Sequence, residues 1–114
     1  MLVIYHNPRC RKSRAGLEYL KSKTQEFQIR DYIKDGLSEK DLQEILLKTN
    51  LEPIDLVRKQ EDVYKKELKG RSFTREEWIR ILCENPKLLQ RPIVMSKHKA
   101  VIGDPAEKIN VVLK

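Results

Sequence analysis

The run Leu2-Val3-Ile4-Tyr5 is apolar without alternation, which predicts an interior strand covered on both faces. Pro8, which has no amide hydrogen for a ladder bond, ends it within His6-Asn7-Pro8-Arg9. From about residue 11 the apolar positions Ala15, Leu17 and Leu20 return at helical spacing, so Cys10 sits at or just before a helix N-terminus. Phe27-Gln28-Ile29-Arg30-Asp31-Tyr32 then alternates with period two and predicts a second strand. A helix over 11–22 between two such strands reads as a right-handed crossover joining a parallel pair. A βαβ unit with a cysteine in its first turn is therefore the feature that most restricts the fold.

Downstream, Ser38 and Asp41 approximate a capping box ahead of Leu42, Ile45 and Leu46, a helix expected to stop between Asn50 and Pro53. Residues 54–68 carry scattered apolar anchors compatible with short helices, and Gly70 marks a break. Thr74 and Glu77 form a second capping box, for a helix whose inner face is expected to be Trp78, Ile81, Leu82 and Cys83, closed by Asn85-Pro86. Residues 91–95 and 99–103 read as a hairpin turning at Ser96-Lys97-His98. Asp104 is placed as N-cap of a terminal helix, with Pro105 at its first position and Ile109, Val112 and Leu113 on its face. The expectation is an α/β fold: βαβ and ββα halves of one sheet, with residues 37–90 as a helical insertion inside a single domain over 1–114.

Hydrophobic residues make up 39% and charged residues 36%, and Gly and Pro total only 9, which excludes disordered, collagen-like and low-complexity chains. No apolar run approaches the length of a membrane helix and the first residues lack a signal-peptide pattern, so no membrane partner and a cytoplasmic location are expected. The net charge of +7 is uneven: residues 1–30 hold seven Lys or Arg against two Glu, whereas the remainder holds 17 against 15. Arg9-Cys10-Arg11-Lys12-Ser13-Arg14 places four cations around one thiol.

The thiolate is the reactive form of cysteine, and both neighbouring cations and a helix N-terminus favour it. Cys10 is therefore read as a reactive thiol rather than a packing residue. Cys83, among apolar helix positions, reads as packing. Position 13 is Ser, so no internal CxxC couple exists, and a redox cycle at Cys10 needs an external thiol or distant Cys83. Two histidines and two separated cysteines lack zinc-ligand spacing. His6 could hold the thiolate or cap its strand; His98 is a turn residue. Residues 6–14 could cradle an oxyanion on backbone amides, with Asn7 in the turn and Ser13 and Arg14 adding side-chain donors. The segment lacks the glycines of a Walker loop and the Cys-x5-Arg spacing of a cysteine phosphatase. Arg58 and Arg91 are further anion-ligand candidates, and Arg91 precedes Pro92, whose position at a strand entrance admits a cis peptide. Direct nucleic-acid binding is not expected, because no aromatic interleaving accompanies the basic cluster.

Tyr5-His6-Asn7-Pro8-Arg9-Cys10-Arg11-Lys12-Ser13-Arg14, together with Leu56-Val57-Arg58-Lys59 and Arg91-Pro92-Ile93-Val94, resembles the glutaredoxin-linked arsenate reductase (ArsC) family of the thioredoxin-like superfamily, which also contains the Spx-type regulators. The resemblance runs over nearly the whole chain. It implies a thioredoxin-like fold with a mixed four-stranded sheet, a cis Pro92 facing the Cys10 loop, Cys10 as nucleophile, His6 beside it, and Arg58 and Arg91 as anion ligands. It also implies no bound cofactor, and an external thiol such as glutathione, with a glutaredoxin, to regenerate Cys10. The place of a third anion-binding arginine falls at Asp104. The alternative function within the resemblance is a regulator that contacts RNA polymerase, although Ser13 removes the CxxC switch typical of that branch.

Overall fold

The computed structural model describes residues 1–113. Strand β1 (Leu2–His6) lies inside a four-stranded sheet of order β2-β1-β3-β4, with β2 Phe27–Asp31, β3 Ile93–Met95 and β4 Ala100–Ile102. β1 runs parallel to β2, Ile4 opposite Ile29, and antiparallel to β3, Ile4 opposite Val94; β3 and β4 form the antiparallel hairpin. Helix α1 (Arg11–Lys23) connects β1 to β2. A mixed sheet flanked by helices, built from βαβ and ββα halves, is the thioredoxin-like architecture.

The unalternated apolar run of β1 follows from its central position, because both faces of the sheet are covered. On one face Ile4 and Val94 pack with Leu17 and Leu20 of α1 and with Ile109 and Val112 near the C-terminus. On the other, Tyr5, Ile93 and Met95 meet the helices between β2 and β3: α3 (Glu39–Thr49) contributes Leu42, Ile45 and Leu46, and α4 (Arg75–Glu84) contributes Trp78, Ile79 and Leu82. Each such fully buried aliphatic side chain contributes about 1.5–3 kcal/mol relative to exposure, which is why the insertion holds the sheet as firmly as α1 does.

Both capping boxes form. Ser38 accepts from the Asp41 amide at 3.0 Å while Asp41 accepts from the Ser38 amide at 3.0 Å; Thr74 and Glu77 exchange equivalent bonds at 3.1 and 2.8 Å. Asp41 also accepts from the Arg30 guanidinium, through its two oxygens at 2.8 and 3.1 Å, and so ties the edge strand β2 to α3.

Several sequence expectations are corrected. Tyr32 does not continue β2: Asp31 accepts from the Lys34 amide at 3.1 Å and starts a short helix α2 (Tyr32–Asp35), which turns the Tyr32 ring into the core. The buried face of α4 uses Ile79 in place of Ile81, and on α1 Gly16 is buried where Ala15 is exposed. The short helices expected over 54–68 do form, as a 3-10 turn at Pro53–Leu56 and a π turn at Tyr64–Leu68. Asp104 caps nothing. The terminal 3-10 turn begins at Ala106 after Pro105, leading into α5 (Asn110–Leu113), and Asp104 instead pairs with Lys12 Nζ at 3.1 Å. The Asp104–Pro105 peptide is cis, as is Arg91–Pro92.

Candidate active site

Cys10 occupies the N-cap position of α1 with extended backbone (φ −99°, ψ 126°), and its side chain makes no capping bond. The turn that carries it is built by its own neighbours. The Cys10 amide donates to the Asn7 carbonyl at 3.1 Å, and Asn7 Oδ1 accepts from the Arg9 amide at 3.0 Å. Ser13, fully buried, accepts from the Asn7 amide at 2.9 Å and lies 2.7 Å from His6 Nδ1. Arg14 reaches back to donate to the Pro8 carbonyl at 2.9 Å. Asn7, Ser13 and Arg14 thus spend their side-chain polar groups on the shape of the loop. His6 is buried behind it, and its hydrogen bond is to Ser13. Burial lowers the His6 pKa, aided by the charges of Lys21 and Arg14 and opposed by Asp31 and the Ser13 contact, so the ring is neutral near pH 7.

The electrostatics of Cys10 have a different source from the one its sequence neighbours suggest. Burial pushes the thiol up, but the influence of Arg91, together with the amides of Ser13 and Lys12, outweighs it and the net shift is downward. Arg9, Arg11, Lys12 and Arg14 are exposed, in high-dielectric surroundings where their charges are screened. Arg91 is not: its side chain is 8% exposed, with Nη1 donating to the carbonyls of Lys87 (2.7 Å) and Leu89 (3.3 Å). A guanidinium anchored in this way is a fixed and poorly screened positive charge. At Cys83 burial raises the thiol and the carboxylates Glu39, Asp41 and Glu84 raise it further.

Arg58 joins Arg91 through backbone pairing. Val57 bridges Leu89 in antiparallel fashion, the Arg58 amide donates to the Leu88 carbonyl at 2.7 Å, and the Gln90 amide donates to the Leu56 carbonyl at 2.7 Å. The short ladder sets two arginines, remote in sequence, side by side. Both face one carboxylate: Glu61 Oε2 is 2.6 Å from Arg58 Nη1 and 4.0 Å from Arg91 Nη2.

Two members of this cluster were missed by sequence reasoning. Tyr32 is wholly buried, its hydroxyl has no hydrogen-bond partner, and Arg91 Nε is likewise unpaired. Burial drives the Tyr32 phenol far above its ordinary pKa; the charges of Arg91 and Arg58 oppose this and Cys10 reinforces it. Its apolar surroundings and strand-like context hid it. Glu61 left one signal, its position three residues after Arg58. His98 is exposed in the hairpin turn, and Asp104 lies against the first turn of α1 with its charge met by Lys12. Among the described residues, no three of His, Cys, Asp and Glu come together in a way that could hold a metal ion, and no helix is long and apolar enough to cross a membrane.

A mixed four-stranded sheet built from βαβ and ββα halves, with a cysteine at the head of its first helix and a cis X–Pro bond before β3, defines a protein of the thioredoxin-like class. The ArsC family model matches residues 5–112, and the chain belongs to that family. It is 40% identical over 110 residues, covering 93% of this chain and 91% of the other, to the Escherichia coli chain named uncharacterized protein YfgD. It is 34% identical over 114 residues to an arsenate reductase of Neisseria meningitidis serogroup A, covering 98% and 97% of the two chains. Among solved structures, an arsenate reductase from Vibrio cholerae superposes with a TM-score of 0.91 at 32% identity, covering 97% and 96%.

Proposed function

We propose that this protein is an arsenate-reductase-like thiol oxidoreductase that works with one nucleophilic cysteine and an external thiol. The observation that carries the reading is a cysteine at the N-cap of α1 whose thiolate is favoured by the buried Arg91. Relatives named arsenate reductase, matched over nearly their full length, support arsenate as the substrate class.

In the first step the Cys10 thiolate bonds to arsenic, and one arsenate oxygen leaves as water after protonation by solvent. A small thiol such as glutathione then attacks the adduct. Two thiols give up two electrons and become a disulfide, arsenic(V) becomes arsenic(III), and a second external thiol, or a glutaredoxin, returns Cys10 to the free thiol. Within the chain Arg58 and Arg91 would receive the oxyanion charge, the backbone amides after Cys10 would stabilise the sulfur as an anion, and His6 would act through Ser13 as a positioning residue for the loop.

Arsenate turnover measured with glutathione plus glutaredoxin, and with glutathione alone, tests the reading. Activity that disappears in Cys10→Ser and persists in Cys83→Ser supports it. Absence of arsenate-dependent thiol oxidation by the parent under both conditions refutes arsenate as substrate, and loss of turnover in a folded Cys83→Ser protein refutes the single-cysteine cycle.

A further inference from the structure

Arg91, whose influence lowers the Cys10 pKa, stands beside Arg58, and a carboxylate of the same chain engages both. Glu61 Oε2 receives a 2.6 Å bond from Arg58 and stands 4.0 Å from Arg91, with the three side chains 25%, 15% and 8% exposed. The other donors of Arg91 are not equivalent: Nη1 is held by the carbonyls of Lys87 and Leu89, whereas Nε is buried without a partner. The guanidinium edge still available to an anion is therefore the edge that faces Glu61.

We propose that Glu61 is the specificity-determining residue of this clamp: an oxyanion reaching Cys10 must exchange with the Glu61 carboxylate for the same two guanidinium groups. The inference rests on reading the Cys10 cleft as an oxyanion site and goes beyond it by naming what sets the strength and charge preference of binding. Two arginines and one carboxylate sum to a single positive charge, and at the place expected for a third arginine there is Asp104, itself paired with Lys12. With Glu61 seated, a doubly charged oxyanion meets a clamp of net charge +1 and a like charge at contact distance. With Glu61 displaced, it meets +2. Exchange makes binding weak and selects against anions that grip too poorly to displace a carboxylate held by a charge-assisted bond. The fold leaves room for the displaced side chain, because Glu61 also lines an open groove of about 460 Å³ with Asp62, Val63, Glu84 and Lys87.

The experiment is protection of Cys10 from iodoacetamide by sulfate and, separately, by arsenate without added thiol, at constant ionic strength, on the full chain. Cys10 labelling is read by mass spectrometry, and folding of each variant is checked by urea unfolding. Glu61→Gln and Glu61→Ala are each expected to lower the half-protecting concentration of both anions roughly tenfold, the size of one charge-assisted hydrogen bond in competition. Asp62→Asn, an acid in the same groove that touches neither guanidinium, is expected to change it less than about twofold, as a screened surface charge should. Equal or weaker protection in both Glu61 variants overturns the inference, since it would make Glu61 a support for Arg58 rather than a competitor. An equal gain in Asp62→Asn also overturns it, by reducing the effect to a general field. Absence of protection in every protein does the same. Tighter sulfate binding in the Glu61 variants, in a parent chain that never reduces arsenate, upholds the inference while refuting the proposed reaction.

Discussion

Gly16 of α1 lies so close to Pro92 that a Cβ built on the glycine would overlap Pro92 Cγ. The contact joins the helix capped by Cys10 to the turn that carries Arg91, so the approach of these two segments depends on the absence of a single methyl group. Gly103 closes in on the same ring from β4: a Cβ there would stand 3.2 Å from Pro92 Cγ and 2.9 Å from Ile109.

Gly16→Ala is therefore expected to destabilise the protein, although alanine favours a helix over glycine by about 1 kcal/mol. The proline ring cannot yield as a flexible side chain would, and overpacking of this kind costs about 1–3 kcal/mol. Urea unfolding should show a lower midpoint, and Cys10 alkylation at pH 7 should slow as Arg91 moves from the sulfur. A midpoint equal to or above that of the parent would contradict this packing.

Arg91→Gln should raise the apparent pKa of Cys10, because it removes the cation that helps to overcome the burial of the sulfur. The rate of Cys10 alkylation against pH should give the parent a midpoint below the ordinary thiol value of about 8.5, and the variant a higher one. Arg9→Gln and Arg11→Gln, which alter exposed and screened cations, should shift it far less. A ranking in which Arg9 or Arg11 matters more than Arg91 would return the origin of the effect to the sequence neighbours.

His6 should leave a signature in stability against pH. Its folded pKa is depressed below the unfolded value of 6.5, so the unfolded chain takes up the proton first. The stability that neutral His6 supplies is fully present above pH 6.5, falls as the pH drops through that value, and levels off below the folded pKa. His6→Asn, which keeps a donor for Ser13 but cannot titrate, should lose this component. The urea-midpoint gap between parent and variant should accordingly shrink from pH 7.5 to pH 5; a gap constant over that range would show that His6 titrates alike in both states.

Tyr32→Phe should cost little or no stability, in contrast with the usual loss of about 1 kcal/mol on deleting a hydrogen-bonded hydroxyl, because the hydroxyl it removes is buried and unpaired. The variant should unfold at the parent's urea midpoint or above it. A drop of the ordinary size would mean that the Tyr32 hydroxyl is bonded in solution.

Much of the fold could be read along the chain, since its signals act over a few residues. Unalternated apolar residues in β1, helical spacing in α1, Ser38–Asp41 and Thr74–Glu77 at two helix starts, and the turn at Ser96–His98 all appear where the side-chain pattern puts them. The exceptions are equally local in appearance and were decided at longer range. Tyr32 has strand propensity, yet Asp31 caps a helix there and the ring finds a core site. Asp104 precedes a proline as an N-cap would, yet Lys12 lies across the fold to pair with it.

The candidate site divides in the same way. The sequence alone determined that Cys10 stands at the head of a helix, because a proline break and helical periodicity are properties of neighbouring positions, and it offered His6, Arg58 and Arg91 as candidates to act with it. Only the tertiary structure decided that Arg91 is buried while the arginines adjacent to Cys10 are exposed, that Val57 pairing with Leu89 brings Arg58 beside Arg91, and that Glu61 joins the two. The physical reason is that an electrostatic effect depends on distance and burial together. A cation next in sequence but in water is screened, whereas one remote in sequence but packed against the sulfur in a low-dielectric turn is not.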